Sequence, residues 1–196
     1  MLNMQHKWIR IAIKLIFLVG LLAALIYLGN VWWLVKYGAS PQPVPSEILN
    51  VDQGFQFPPG LPPDPGSEGK KTIQGIDSDH DGIRDDVQRW IHAFLPNDKN
   101  KQMALRQSAR YLQYALSDDY SLEVRKQGNE ILDRSIQCTR KVFNDEIHGY
   151  MEDMYLQAKV LNTFARVSRY WSNDEKVTTR EMSRENPVYE NPCDNQ

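Results

Sequence analysis

From residue 83 onward the apolar positions recur at helical rather than alternating spacing. Ile83, Val87, Trp90, Ile91 and Phe94 make one stripe that Pro96 ends. A second helix starts near Asp98 and carries Leu105, Ala109, Leu112 and Leu116 on one face. Ser121 is placed to cap a third, in which Val124, Gly128, Ile131, Ser135, Cys138 and Val142 keep the rhythm, Leu132, Ile136 and Phe143 widen it, and Gly128 is the point where it would break early. The longest pattern is Ile147, Met151, Met154, Ala158, Leu161, Ala165 and Ser168, a heptad reaching Trp171. No strand pattern of any length is present. The expectation is an all-α domain over residues 76–172, a four-helix antiparallel bundle with short connectors. Tyr150, Met151, Met154 and Tyr155 read as packing residues; Ala158 and Ala165 permit close approach of a second chain, so a homo-oligomer is compatible with the pattern.

The amino-terminal pattern is different. Residues 15–35 are free of charge, and at about 1.5 Å rise per residue they span roughly 30 Å, the thickness of a hydrocarbon core. Lys7, Arg10 and Lys14 precede the segment and only Lys36 follows it, which predicts a cytoplasmic stretch over 1–14 and a single-pass signal anchor in the inner membrane. Trp32 and Trp33 suit the outer interface. The lipid bilayer is then one partner, and the rest of the chain is periplasmic or extracellular. A cleaved leader is the rival reading; its apolar region is usually shorter and ends in a small-x-small site that Tyr37-Gly38-Ala39 matches poorly. Either way the remainder is exported. Residues 36–75 hold eight of the 11 prolines and read as a semi-extended tether.

Composition adds limits. The chain has 196 residues, 41% of them apolar and 24% charged, enough for one ordinary domain with tails. The net charge is −2, but the first 36 residues contain four cations and no acid, leaving −6 on the rest. Nucleic acid is excluded as a partner, because the exported portion lacks the basic footprint that phosphates require.

The chemical signal lies at the start of the first helix. Asp77-Ser78-Asp79-His80-Asp81-Gly82-Ile83-Arg84-Asp85-Asp86 puts five aspartates in ten residues beside a single cation, Arg84. Acids at loop positions 1, 3 and 5, Gly at 6, a backbone carbonyl at 7 and an acid at 9 reproduce the ligand order of an EF-hand calcium loop. Hard oxygen donors suit Ca2+; no thiolate or regular His spacing argues for zinc. The loop resembles the D-x-D-x-D-G-x-x-D loops of thrombospondin type 3 repeats and, less closely, of dockerins. That resemblance implies side-chain ligation by Asp77, Asp79, Asp81 and Asp85, the last directly or through water, and carbonyl ligation by Ile83. Position 12, where an EF-hand has a bidentate Glu, is Gln88, so the set loses its strongest ligand unless Asp86 or another segment supplies an oxygen. A wider stretch, Leu61 to Trp90, resembles segments of exported bacterial proteins of unassigned role. The competing reading is that Asp79 or Asp81 caps the helix and Asp85 and Asp86 complement its positive end, which accounts for two or three of the acids.

Residues 173–196 turn polar, yet Cys193 lies among them and Cys138 on the third helix; export to an oxidising compartment favours a disulfide between this one pair over a buried free Cys138. No H-E-x-x-H, G-x-S-x-G or phosphate-loop spacing is present. The functional expectation is a tethered exported calcium-binding module that is not an enzyme and meets an unknown envelope protein. The alternative is a small hydrolase built around His148 with Asp145, Glu146 and Glu152.

Overall fold

The computed structural model describes residues 44–144, 146–177 and 187–194, together with Gly20; in the helix that begins at Glu146, side chains are described from residue 149 onward. The signal-anchor expectation over 15–35 falls outside these residues, as do the side chains of Asp145, Glu146 and His148. Among the described residues there are six α-helices, one 3-10 turn at Glu68–Lys70 and no strand, so the fold is all-α. The helices are α1 (Ser46–Leu49), α2 (Asp85–Phe94), α3 (Lys99–Ala115), α4 (Leu122–Phe143), α5 (Glu146–Val160) and α6 (Phe164–Asp174). None of them is long and apolar enough to cross a membrane.

The local signals act in part as the residue types dictate: Ser121 stands at the N-cap position of α4 but makes no side-chain cap bond. Asp98 caps α3, its carboxylate accepting from the Lys101 backbone N–H at 3.0 Å. The α4 helix runs through Gly128 to Phe143 and stops where Asn144 enters the left-handed region at φ 50°. Gly128 does not break it; it faces α3, where a Cβ would lie 3.5 Å from the Tyr114 Cβ. The expected fourth helix is two. After Val160 the chain turns through 161–163, and the Thr163 hydroxyl accepts from the Arg166 N–H at 3.3 Å, starting α6 in a new direction. The heptad read through this point has no breaker of the Gly or Pro kind; the signal it misses is the Thr163 side-chain cap that starts the next helix.

The core forms where α2, α3, α4 and α5 meet, with Ile83, Trp90, Leu105, Leu116, Cys138, Leu156 and Val160 all without solvent exposure. Trp90 stacks on Phe94 at 4.8 Å between ring centres. The stripe read from the sequence matches the buried face in α2 and α3. In α5 the inward residues are Gly149, Leu156 and Val160, whereas Met151 is exposed. Gly149 lets α5 close on α4; a Cβ there would lie 3.1 Å from Thr139 Cγ2. In α6 the inward residues are Arg166 and Asn173, and Phe164 is 88% exposed.

The stretch expected as a tether over 36–75 is docked on the helices from residue 44 onward. Ile48, Val51 and Ile73 pack against the core. Proline leaves few N–H groups in this segment to pair with its own carbonyls, so helical side chains donate to them. Trp90 Nε1 donates to Ile48 O at 2.8 Å, Arg89 to Pro62 O at 3.0 Å, and Lys159 to Leu49 O at 3.3 Å. Arg89 also sits 3.8 Å over the ring of Phe57. At the far end Arg166, wholly buried, donates to the carbonyls of Gly69, Thr72 and Ile73 at 2.6, 3.0 and 2.9 Å.

The tail is pinned too. Cys138 and Cys193 are joined, with Cα atoms 4.8 Å apart. Gln107 clamps the adjoining backbone, donating to Pro192 O at 2.9 Å and accepting from the Asp194 N–H at 3.0 Å. Gln137 does the same farther back, donating to Pro187 O at 2.7 Å and accepting from the Tyr189 N–H at 2.9 Å.

Candidate metal centre

Gly75 opens the acidic loop at φ 71°, and a Cβ in its place would lie 2.3 Å from Arg84 Cδ. Only glycine allows the loop to start in this backbone conformation against that guanidinium stem. The loop then folds on its own carboxylates. Asp77 Oδ1 accepts from the Asp81 N–H at 3.2 Å and Asp77 Oδ2 from the Gly82 N–H at 3.0 Å. Gly82, in the sixth position, has φ 83°, as the tight turn requires. Asp85 Oδ1 accepts from the Ser78 N–H at 2.9 Å, and the Asp85 N–H returns to Ile76 O at 2.8 Å, closing the loop onto the first turn of α2.

These bonds bring Asp77, Asp79 and Asp85 together, with one oxygen of each within 4.8 Å of the others. They are placed to hold a metal ion. Asp85 is 1% exposed, so one wall of the cluster is shut off from water, while Asp79 faces solvent on the other side. The residue at the α2 N-cap position is Arg84, with no side-chain cap bond, so neither Asp79 nor Asp81 takes the capping role that would have accounted for the acids otherwise.

The remaining predicted ligands are engaged elsewhere. Asp81 forms an ion pair with Arg106 and accepts from the Ile83 N–H at 2.8 Å. Burial raises its carboxyl above the ordinary carboxylate range, and the charge of Asp79 adds to this against the opposing pull of Arg106, the Ile83 N–H and Arg110. Asp86 points to the other side of the helix start, where Arg84 Nε donates to it at 2.8 Å. Burial alone would raise Asp86, but the hydrogen bonds and charge of Arg84, with Arg166 and Lys159 nearby, hold it below its usual value. The Ile83 side chain belongs to the core and has no exposure, so its contribution to a site is confined to its backbone.

Two groups outside the predicted set shape the centre. Gln88, in the twelfth position, is 4% exposed and donates from Nε2 to Asp79 Oδ2 at 3.1 Å, while its Oε1 is buried with no hydrogen-bond partner. A buried orphan oxygen costs roughly 1–3 kcal/mol. A half-turn of the amide would exchange the two atoms and present that oxygen to the acids, which only a cation among them would favour. The residue that looked like the lost ligand is thus the one whose chemistry fits an ion. The second group is the pair Arg106 and Arg110 on one face of α3. Arg110 donates to Asp81 O at 3.0 Å and pairs with Asp194 beside Cys193, so loop, helix and tail share one guanidinium. The i, i+4 spacing of these arginines was visible in the sequence, but what they faced was not.

No protein-family model, curated protein or solved structure matches this chain.

Proposed function

We propose that the chain is a membrane-tethered, exported helical module whose entrance is clamped by calcium, with a structural or protein-interaction role in the cell envelope. The observation that carries the ion is the convergence of Asp77, Asp79 and Asp85 next to Gln88, whose amide nitrogen faces Asp79 and whose buried oxygen has no partner. Carboxylate and amide oxygens are hard donors that favour calcium over softer-ligand metals. Three such carboxylates, with a fourth oxygen available if the Gln88 amide turns over, and solvent on one side suit a weak site, in the roughly 10⁻⁴–10⁻³ M range of extracellular modules, rather than a cytosolic sensor. The clamp is structural because its loop closes directly onto α2, whose Trp90 and Ile91 sit in the core. The tether rests on the apolar run 15–35 and its preceding cations. The partner reading is supported by Phe164 and Trp171, 88% and 59% exposed on the outer side of α6.

The test is thermal melting of the full chain in detergent. A ligand at a ten- to hundredfold excess over its Kd stabilises the folded state by about 1.4–2.7 kcal/mol. Melting in about 10 mM calcium should therefore exceed melting in chelator by several degrees, and Asp79→Asn should remove most of that difference. Superimposable curves for the unmodified chain would rule out the calcium clamp.

A further inference from the structure

We propose that the cavity enclosed by α3, α4, α5 and α6 is a binding site for a small organic ammonium ion with an aromatic or short apolar body. The cavity measures about 210 Å³ and lies away from the acidic loop, among residues that the calcium reading does not use. Asp153 of α5 is at its wall, and its Oδ1 is buried with no hydrogen-bond partner. The same cavity is lined by Tyr111, Tyr150 and Tyr170, with Met154 and Leu132 supplying apolar surface. Tyr150 is 68% exposed and so forms the rim, which gives the cavity an entrance.

The chemistry selects the ligand. Among the described residues that line the cavity there is no Lys, Arg or His, so none of them supplies the acid with a counter-ion. A half-buried carboxylate with one unpartnered oxygen is costly, and Asp153 lies on the side of α5 that Leu156 and Val160 share. Burial lifts the Asp153 carboxyl to about 6, against a hydrogen bond from the Ser108 side chain that acts to lower it. A ligand cation would relieve that cost directly. Tyrosine rings favour cations over neutral groups, and a carboxylate with aromatic walls is the arrangement that distinguishes an amine from its neutral analogue. Size sets the rest. A cavity of about 150 Å³ takes benzene, and drug-sized ligands need roughly 300 Å³ or more, so this one suits a single ring or a short chain.

The experiment is a calorimetric titration of the full chain with benzylammonium, beside benzyl alcohol of nearly equal shape. Benzylammonium should bind saturably, with the alcohol weaker by at least about tenfold. Asp153→Asn should lose about tenfold or more for the ammonium ion and leave the alcohol within about twofold. Leu132→Trp, which fills the cavity from α4, should abolish binding, and it keeps the test decisive if the Asp153 variant does not fold. Equal affinity for the two probes, no heat from either, or ammonium binding unaffected by these substitutions would overturn the proposal.

Discussion

Replacing Arg166 by methionine is expected to lower the unfolding free energy by about 3–4 kcal/mol. The side chain has no solvent exposure and donates to three consecutive-loop carbonyls, those of Gly69, Thr72 and Ile73, and to the Asn162 side chain. Methionine fills much of the volume but supplies no donor, so the buried acceptors lose their partners, and each such loss costs roughly 1–3 kcal/mol. The native arginine is not free of strain in its charge. Burial and the neighbouring Arg84 draw its pKa down to about 10, while Asp86 acts to raise it, and it stays protonated at neutral pH. Removing it also relieves that desolvation, which is why the expected loss is below the sum of the broken bonds. Denaturant unfolding should show the loss, and limited proteolysis should show faster cutting between residues 44 and 75, the segment that Arg166 holds at its far end. A loss under about 1 kcal/mol with unchanged cutting would mean that this segment is held by Trp90, Arg89 and Lys159 without Arg166.

The second large effect is expected from the disulfide. Cys138 and Cys193 close a loop with a sequence separation of 55, which in the chain-entropy model contributes about 4 kcal/mol. Changing both cysteines to serine should therefore lower the melting temperature by roughly 10 °C for a chain of this size. The substitution also places a hydroxyl at position 138, which is fully buried in the core, so alanine at both positions is the better control. The hydrogen bonds that Gln107 and Gln137 make to residues 187–194 do not replace the covalent link, because they constrain only the folded state. A shift under about 2 °C for the double alanine variant would contradict this assignment of stability.

How much of this was legible in the chain depends on which residue types point inward. In α2 and α3 most buried positions are aliphatic or aromatic, so Val87, Trp90, Leu105 and Leu112 could be read from spacing alone, whereas the buried Gln88, Gln107 and Ser108 could not. In α5 and α6 the inward positions include Gly149, Asp153, Arg166 and Asn173, residue types that any hydropathy pattern assigns to the surface. The heptad from Ile147 to Ser168 consequently selected the wrong face, leaving Met151 outside. The tether was misread over 44–75 for a related reason: its packing depends on backbone carbonyls accepting from Trp90, Arg89, Lys159 and Arg166, and carbonyls carry no sequence signal. For the acidic loop, spacing sufficed to bring Asp77, Asp79 and Asp85 together. It did not reveal that Arg106 would take Asp81 or Arg84 would take Asp86, since both depend on which helix face packs against the loop.

The central claim is that a divalent cation sits among Asp77, Asp79, Asp85 and Gln88, and the most direct measurement is a calcium titration of the full chain by calorimetry. The account predicts one site per chain with a dissociation constant of roughly 10⁻⁴–10⁻³ M, tightened about tenfold by Gln88→Glu, which restores a carboxylate at the twelfth position. Asp77→Asn combined with Asp79→Asn should abolish the heat. No binding by the unmodified chain up to about 10 mM calcium, or binding that survives the double substitution, would contradict it.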